Sequence, residues 1–511
     1  MNKVKPLNLI IKIVVLTLML SVAFAVNFSA GVSYAEVLEK GSENVTNAEY
    51  FYKPSEEIIK LAKFDPRSLL TPVKDQGASN LCWAYSTINA SEGSILKNKL
   101  GNKDTLRLNP NALAYRKYVR SADVLNNTAS YYDRNAPDWY ERAGDISSTP
   151  SILSMWQGPI AYDKSANASV HENGLYRLES ANLINSGLSG EDRINEIKRA
   201  IAKYGSVTAS CYYDGGVKEY YNDNEIQNGI PHAITLVGWD DTIDSNKFGK
   251  KVVKNGGWLV KNSYSDNGYF WLTYESKIAQ TTAWTFTYAP KEAYDYNYYY
   301  DNDTSDNPLL KDKQYANVYE AKMGKDGKAE YVEAVNVGFY GNDVTVKVKV
   351  YTNLSGWGQT AVESGTLASE KSETFKYGGY NTVRLDNPVK VAKGSYYSVV
   401  VEVSNTTGDA YVSVAPSGDK KPSYRKVYDG YDYVLYGGAV ARIKAYTKQK
   451  SEDEAAHNYV FKERVEATCV QEGIKAHYYC QDCGKYFDES KNEKTLEELT
   501  IAATGVHDWN A

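Results

Sequence analysis

Between residues 63 and 288 two spacings alternate along the chain. Leu81, Ala84, Tyr85, Ile88 and Ile95 recur at helical intervals, whereas Ala233-Ile234-Thr235-Leu236-Val237 is a short apolar run with strand character. This region reads as a mixed α and β domain. From 289 to 447 the period becomes two: Val344, Val346, Val348 and Val350 alternate with Thr345, Lys347 and Lys349, and Tyr397 to Val403 is a further strand run. Gly341-Asn342-Asp343 and Tyr377-Gly378-Gly379-Tyr380 read as turns between such strands, and the expected architecture is a β-sandwich. The charged stretch beginning Lys448-Gln449-Lys450 predicts a linker over 448–456, followed by a small Cys/His-bearing module over 457–511. The predicted class is therefore α+β, with an all-β second domain.

The start of the chain has a different texture. Lys3, Lys5 and Lys12 precede an apolar run from Ile13 to Val26, and small residues follow up to Ser33 and Ala35. The run falls short of the roughly 20 apolar residues that span a bilayer, so residues 1–35 read as a secretory signal peptide and no transmembrane anchor is expected after its removal. The polar stretch 36–62 then reads as a short pro-segment or leader, and the expected location is secreted or at the cell surface.

Composition narrows the chemistry. A length of 511 residues calls for several domains, and a net charge of −5 gives no broad attraction to phosphate backbones, so nucleic acid is not an expected partner. Of the five cysteines, only Cys82 and Cys211 precede the terminal module. An exported domain that leaves its thiols so few is not held by disulfides, and one thiol becomes a candidate nucleophile. Cys211, in Ala209-Ser210-Cys211-Tyr212-Tyr213, reads as a packing residue.

Cys82 opens an apolar-periodic helix after the loop Thr71-Pro72-Val73-Lys74-Asp75-Gln76-Gly77, a position where backbone N–H groups and the helix dipole lower a thiol's pKa. Gln76, on that loop, can place an amide N–H beside the Cys82 N–H to hold an oxyanion. His232, at the head of Pro231-His232-Ala233-Ile234, is the candidate base, because a strand projects its ring, whereas His171 lies in a polar loop. Asn262 ends Gly257-Trp258-Leu259-Val260-Lys261-Asn262 and can orient the imidazole.

These segments, in the order Gln76, Cys82, His232, Asn262, resemble the papain-like (C1) cysteine peptidases. More narrowly they resemble the bacterial form with a lectin-like β-sandwich, found in clostridial and other Gram-positive surface proteases; Met155-Trp156-Gln157-Gly158-Pro159 and Gly238-Trp239-Asp240-Asp241 share that texture. The resemblance implies a two-lobed peptidase fold over 63–288. It also implies oxyanion, nucleophile, base and orienting roles for the four residues, and a substrate-binding place for Gly144 and Trp83. Tyr264 stands where the family has tryptophan, which predicts weaker shielding of the His232–Asn262 hydrogen bond.

No cofactor is expected for catalysis. His457, Cys469, Cys480 and Cys483 make a candidate structural zinc set, since Cys480-Gln481-Asp482-Cys483 has the spacing of a zinc knuckle and a small module lacks a large core. Asp301, Asn302, Asp303 and Asp306 offer oxygen ligands for calcium in the sandwich, whose many tyrosines could stack on a glycan or cell-wall ligand. The expected function is an exported cysteine endopeptidase acting on protein or peptide substrates. A decayed papain-fold adhesin and a Cys-His peptidoglycan amidase are the rivals.

Overall fold

The computed structural model describes residues 48–505 apart from 120–123, 126, 128–135, 185–187, 217, 227–228, 277–281, 302–308, 311, 313, 325–327, 418–419, 427–432, 436–437, 452–456, 458 and 481–483. The expected signal peptide lies outside the described residues. Among those residues no helix is long and apolar enough to cross a membrane.

The helix Cys82–Lys97 (α1) contains no proline and is apolar or small on every face, and Trp83 to Leu96 are all buried. It therefore runs through the core rather than along a surface. Lys99 takes a positive φ of 57°, and the Leu100 N–H bonds back to Ile95 O at 2.9 Å, closing the last turn. A second helix, Pro110–Tyr118 (α2), starts with proline at its first position and is capped by Asn109, whose side chain accepts from the Ala112 N–H.

Against α1 lies an antiparallel sheet. Tyr176–Ile184 (β1) is followed by the amphipathic helix Gly190–Tyr204 (α3), then by Val207–Tyr213 (β2), Ile230–Asp240 (β3), Gly257–Lys261 (β4), Tyr269–Thr273 (β5) and Ala283–Pro290 (β6). The ladder runs β2–β3–β4–β5, and β1 pairs with β6. Gly205 ends α3 at φ 87°, and a Cβ there would lie 2.4 Å from Gly93 O of α1. Only glycine allows both that turn and that approach.

Within the stretch 36–62, expected to be a short pro-segment or leader, Phe51 and Ile58 are 0% exposed and join the core around α1 and α3. Lys97 Nζ also donates to Phe51 O and Lys53 O, and Trp239 Nε1 donates to Leu61 O at 2.9 Å. The described part of the stretch thus packs against the domain at the end of α1 opposite Cys82.

The second domain is all β. Tyr296–Tyr298 (β7), Gln314–Glu320 (β8), Ala329–Thr352 (β9), Thr366–Val391 (β10), Tyr396–Ser404 (β11), Tyr411–Pro416 (β12) and Ile443–Lys450 (β13) are its main strands. β9 pairs with β10, β11, β12 and β13, β8 with β11, and β7 with β13. Val344, Val346, Val348 and Val350 of β9 point into the core beside Tyr397, Val399 and Val401, each fully buried valine stabilising by roughly 1.5–3 kcal/mol. Gly341-Asn342-Asp343 and Tyr377 to Tyr380 are not turns between strands. They face each other across the β9–β10 ladder where its register shifts between Phe339 and Asn342, so both long strands bend there as a bulge. Lys448 to Lys450, expected to begin the linker, instead complete β13, with Lys450 paired to Glu333 at 2.8 Å.

The domains share structure as well as a chain. Gly379 to Asn381 of β10 pair with Ser180 to Asn182 of β1, and Gly379, at φ 119°, permits it because a Cβ would lie 2.1 Å from Ala181 O. Arg384 pairs with Glu179 at 2.9 Å, and Lys376 and Tyr377 both bond to Glu196. Several of the tyrosines that could stack on a sugar are buried: Tyr294, Tyr298, Tyr299 and Tyr433 pack inside. Oδ2 of the Asp301 carboxylate accepts from Arg442 at 3.2 Å and Lys444 at 2.8 Å, and all three side chains are buried. Asn302, Asp303 and Asp306 lie outside the described residues.

Candidate active site

Three element ends converge. Cys82 is the first residue of α1, His232 the third of β3, and Asn262 follows the last residue of β4. His232 Nε2 and Asn262 Oδ1 are 2.9 Å apart, and the same Oδ1 accepts the Ser263 backbone N–H at 2.9 Å. A backbone N–H can only donate, so the amide oxygen, not its nitrogen, occupies that position. Nε2 must then carry the ring proton, which leaves Nδ1 bare as the proton acceptor.

The Gln76 loop is held from the same strand end. Gln76 N–H donates to Ser263 O at 2.9 Å, Ser263 Oγ donates to Gln76 Oε1 at 2.6 Å, and Gln76 Nε2 donates one hydrogen to Ser79 O at 2.6 Å. The second Nε2 hydrogen remains for a ligand. Ser263 thus fixes both Gln76 and Asn262, a role that nothing in its local pattern announces.

His232 and Asn262 are 3% and 1% exposed. The expected loss of shielding from Tyr264 does not occur, because Tyr213 joins it: the His232 ring lies 4.7 Å from Tyr213 and 5.6 Å from Tyr264, and the two tyrosines stack 5.8 Å apart. Burial lowers the His232 pKa, against the raising pull of its bond to Asn262. Burial also raises the Cys82 pKa, although the Ala233, Trp83 and Cys82 amides pull it down. The lowered thiol pKa expected from the helix start is therefore reversed in this buried site, where desolvation outweighs the amides.

Beneath the loop is a buried charged network. Lys74 pairs with Glu92 of α1, Thr71 Oγ1 donates to the same carboxylate, and Lys261 Nζ donates to Thr71 O and Oγ1 at 2.7 and 2.9 Å. Burial and the nearby Lys74 charge bring Lys261 down to about 7. This network ties both flanks of the site, the Gln76 loop and the β4 end, to the central helix.

Gly144 is exposed and sits on the Trp83 indole, where a Cβ would lie 2.5 Å from Cε2. Trp83 itself is 1% exposed, so it supports Gly144 from below and does not form a substrate surface as expected. Cys211 is fully buried opposite His232 on β2. His171 lies at the domain junction, stacked on Tyr296. In the terminal module His457 packs on Phe487 at 4.6 Å, Cys480 is buried opposite Tyr459, and Cys469 is half-buried. Among the described residues no three His, Cys, Asp or Glu side chains gather as a metal site. Cys483 lies outside them.

Residues 61–289 match the papain family of cysteine proteases, and residues 297–452 match a lectin-like domain. Cathepsin K of Gallus gallus is 26% identical over 223 residues, covering 41% of this chain and 58% of the relative. Cathepsin K of Mus musculus is 24% identical over 209 residues, covering 39% and 54%. The chain thus spans little more than half the length of these curated relatives. Among solved structures, the clostridial cysteine protease Cwp84 after propeptide cleavage aligns at 20% identity with a TM-score of 0.58, covering 76% of this chain and 99% of that one. The cysteine protease and lectin-like domains of Cwp84, a surface layer associated protein of Clostridium difficile, align at 18% identity with a TM-score of 0.59, covering 82% and 96%. At these identities the likeness shows a shared two-domain fold.

Proposed function

With residues 61–289 belonging to the papain family of cysteine proteases and followed by a lectin-like domain, we propose that this protein is an exported cysteine endopeptidase that hydrolyses peptide bonds of surface or extracellular proteins. The supporting observation is the Asn262 oxygen shared between His232 Nε2 and the Ser263 N–H, which leaves Nδ1 unprotonated and able to accept a proton. Nδ1 takes the Cys82 proton as sulfur attacks the scissile carbonyl carbon. The resulting oxyanion is held by the Cys82 N–H and the free Gln76 Nε2–H. His232 then returns the proton to the leaving amine as the C–N bond breaks, giving a thioester and a new amino terminus. Water, losing a proton to Nδ1, attacks the thioester and restores the thiol.

Export is supported by the basic, apolar and small-residue order of residues 1–35, and a surface location by the likeness to a surface layer associated protein. A glycan or cell-wall ligand for the lectin-like domain and a zinc ion in the terminal module belong to the same reading; about one zinc per purified chain supports the latter, and none contradicts it. Cys82→Ala should abolish release of peptides from a denatured protein such as casein, while the variant stays folded by circular dichroism. Peptide release at the parent rate by that variant overturns the assignment.

A further inference from the structure

A cavity of about 330 Å³ lies where the two domains meet, and neither Cys82 nor His232 lines it. Its wall combines Arg116 of α2, the Trp156-Gln157 turn, Arg177 of β1, and Asp295 and Asn297 of the second domain. The volume suits a small polar molecule.

Two buried groups in this wall lack partners. Arg177 is 2% exposed, its Nε has no hydrogen bond, and among the described residues no carboxylate lies within ion-pair distance. Its guanidinium rests 4.6 Å from the Trp156 ring. The adjacent Asp295 attracts it through space without bonding to it, while its Oδ2 accepts the Gln449 N–H at 2.8 Å. Asn297 Oδ1 is likewise unpartnered, although its Nδ2 donates to Ser154 O at 3.0 Å. A buried guanidinium N–H and a buried acceptor left without hydrogen bonds are each costly, and buried polar groups are nearly always satisfied.

The surroundings are shaped for the guanidinium. A Cβ on Gly174 would lie 2.8 Å from Arg177 Nη1, so glycine makes the room. Trp156 holds φ at 55°, a strained value for a bulky residue, which places its ring under Arg177. Arg116, bonded to Ala168 O, adds a second positive charge. Burial lowers the Arg177 pKa to about 10, well above neutrality, so the group remains charged.

We propose that this junction cavity binds a small hydroxylated carboxylate, a sugar acid or hydroxy acid, whose carboxylate accepts from Arg177 and whose hydroxyl donates to Asn297 Oδ1. A charge-assisted pair of this kind discriminates charged from neutral ligands by about 10- to 100-fold. The inference goes beyond the peptidase reading and does not depend on it.

Calorimetric titration of the full chain with glucuronate, lactate, glucose and sulfate tests it. Saturable one-site binding of glucuronate, at least about tenfold tighter than glucose and sulfate, is expected; lactate matching glucuronate identifies the hydroxy-acid unit as sufficient, and weaker lactate identifies a sugar acid. Arg177→Gln should weaken glucuronate by about 10- to 100-fold. Asn167→Glu, on the exposed rim of the cavity, should weaken it by charge repulsion without disturbing the core, and it carries the test if the first variant does not fold. Four results overturn the proposal: no binding at about 10 mM ligand, glucose equal to glucuronate, sulfate equal to glucuronate, or undiminished affinity in the folded variants.

Discussion

The Asn262 oxygen sets the protonation of its neighbour: because it accepts from both Ser263 and His232, the imidazole proton sits on Nε2 and Nδ1 is left bare. Burial holds His232 below its ordinary 6.5 and Cys82 above its ordinary 9.0. Activity against a peptide should therefore show an acid limb in kcat/KM below pH 6.5, where His232 takes up a proton and can no longer accept one from the thiol. A limb centred above 6.5 contradicts the buried, neutral ring. The same group makes folding pH-dependent. The unfolded chain binds a proton near 6.5 that the folded chain refuses until lower pH, so stability falls as pH drops below 6.5, and His232→Gln should remove that part of the slope. Cys82, His232, Asn262 and Gln76 were legible in the sequence because each sits in a short segment with its own pattern. Tyr213 and Ser263 were not, since their contacts cross from one strand or loop to another and leave no local mark.

At the scale of elements, α1 and β4 are joined by charges rather than by apolar contact alone. Glu92 sits between Lys74 and Thr71 and also accepts the Leu108 N–H at 2.7 Å. Glu92→Ala leaves a buried lysine without its carboxylate and should lower unfolding stability by about 3–5 kcal/mol, measured by urea denaturation. A loss below about 1 kcal/mol means that the network contributes nothing beyond packing. The meeting of Lys74 with the Glu92 carboxylate and of Lys261 with Thr71 was not legible in the sequence, because it required the fold. The bulges at Gly341 and Gly379 were read as turns for a related reason: glycine, asparagine and aspartate mark both features, and only the long-range pairing of β9 with β10 separates them. Phe51 and Ile58 were hidden by the polar residues around them, although two apolar anchors suffice to fix a short segment.

The two domains behave as one body because β10 extends the β1 edge and because Tyr377 and Tyr380 complete the core of the first domain. Differential scanning calorimetry should therefore show one cooperative transition covering both; two well-separated transitions contradict the shared core. The order of domains was legible from the switch in periodicity, whereas their β-pairing was not, since it joins residues some 200 positions apart. The whole arrangement rests on Cys82 being the reactive thiol of a site that His232 activates. Intact-mass and peptide-mapping analysis after treatment with an epoxysuccinyl peptide tests this most directly. One equivalent of label on Cys82, none on the buried Cys211, and labelling slowed at least about 100-fold by His232→Ala are predicted. Label on another residue, or an unlabelled chain that still cleaves protein, contradicts it.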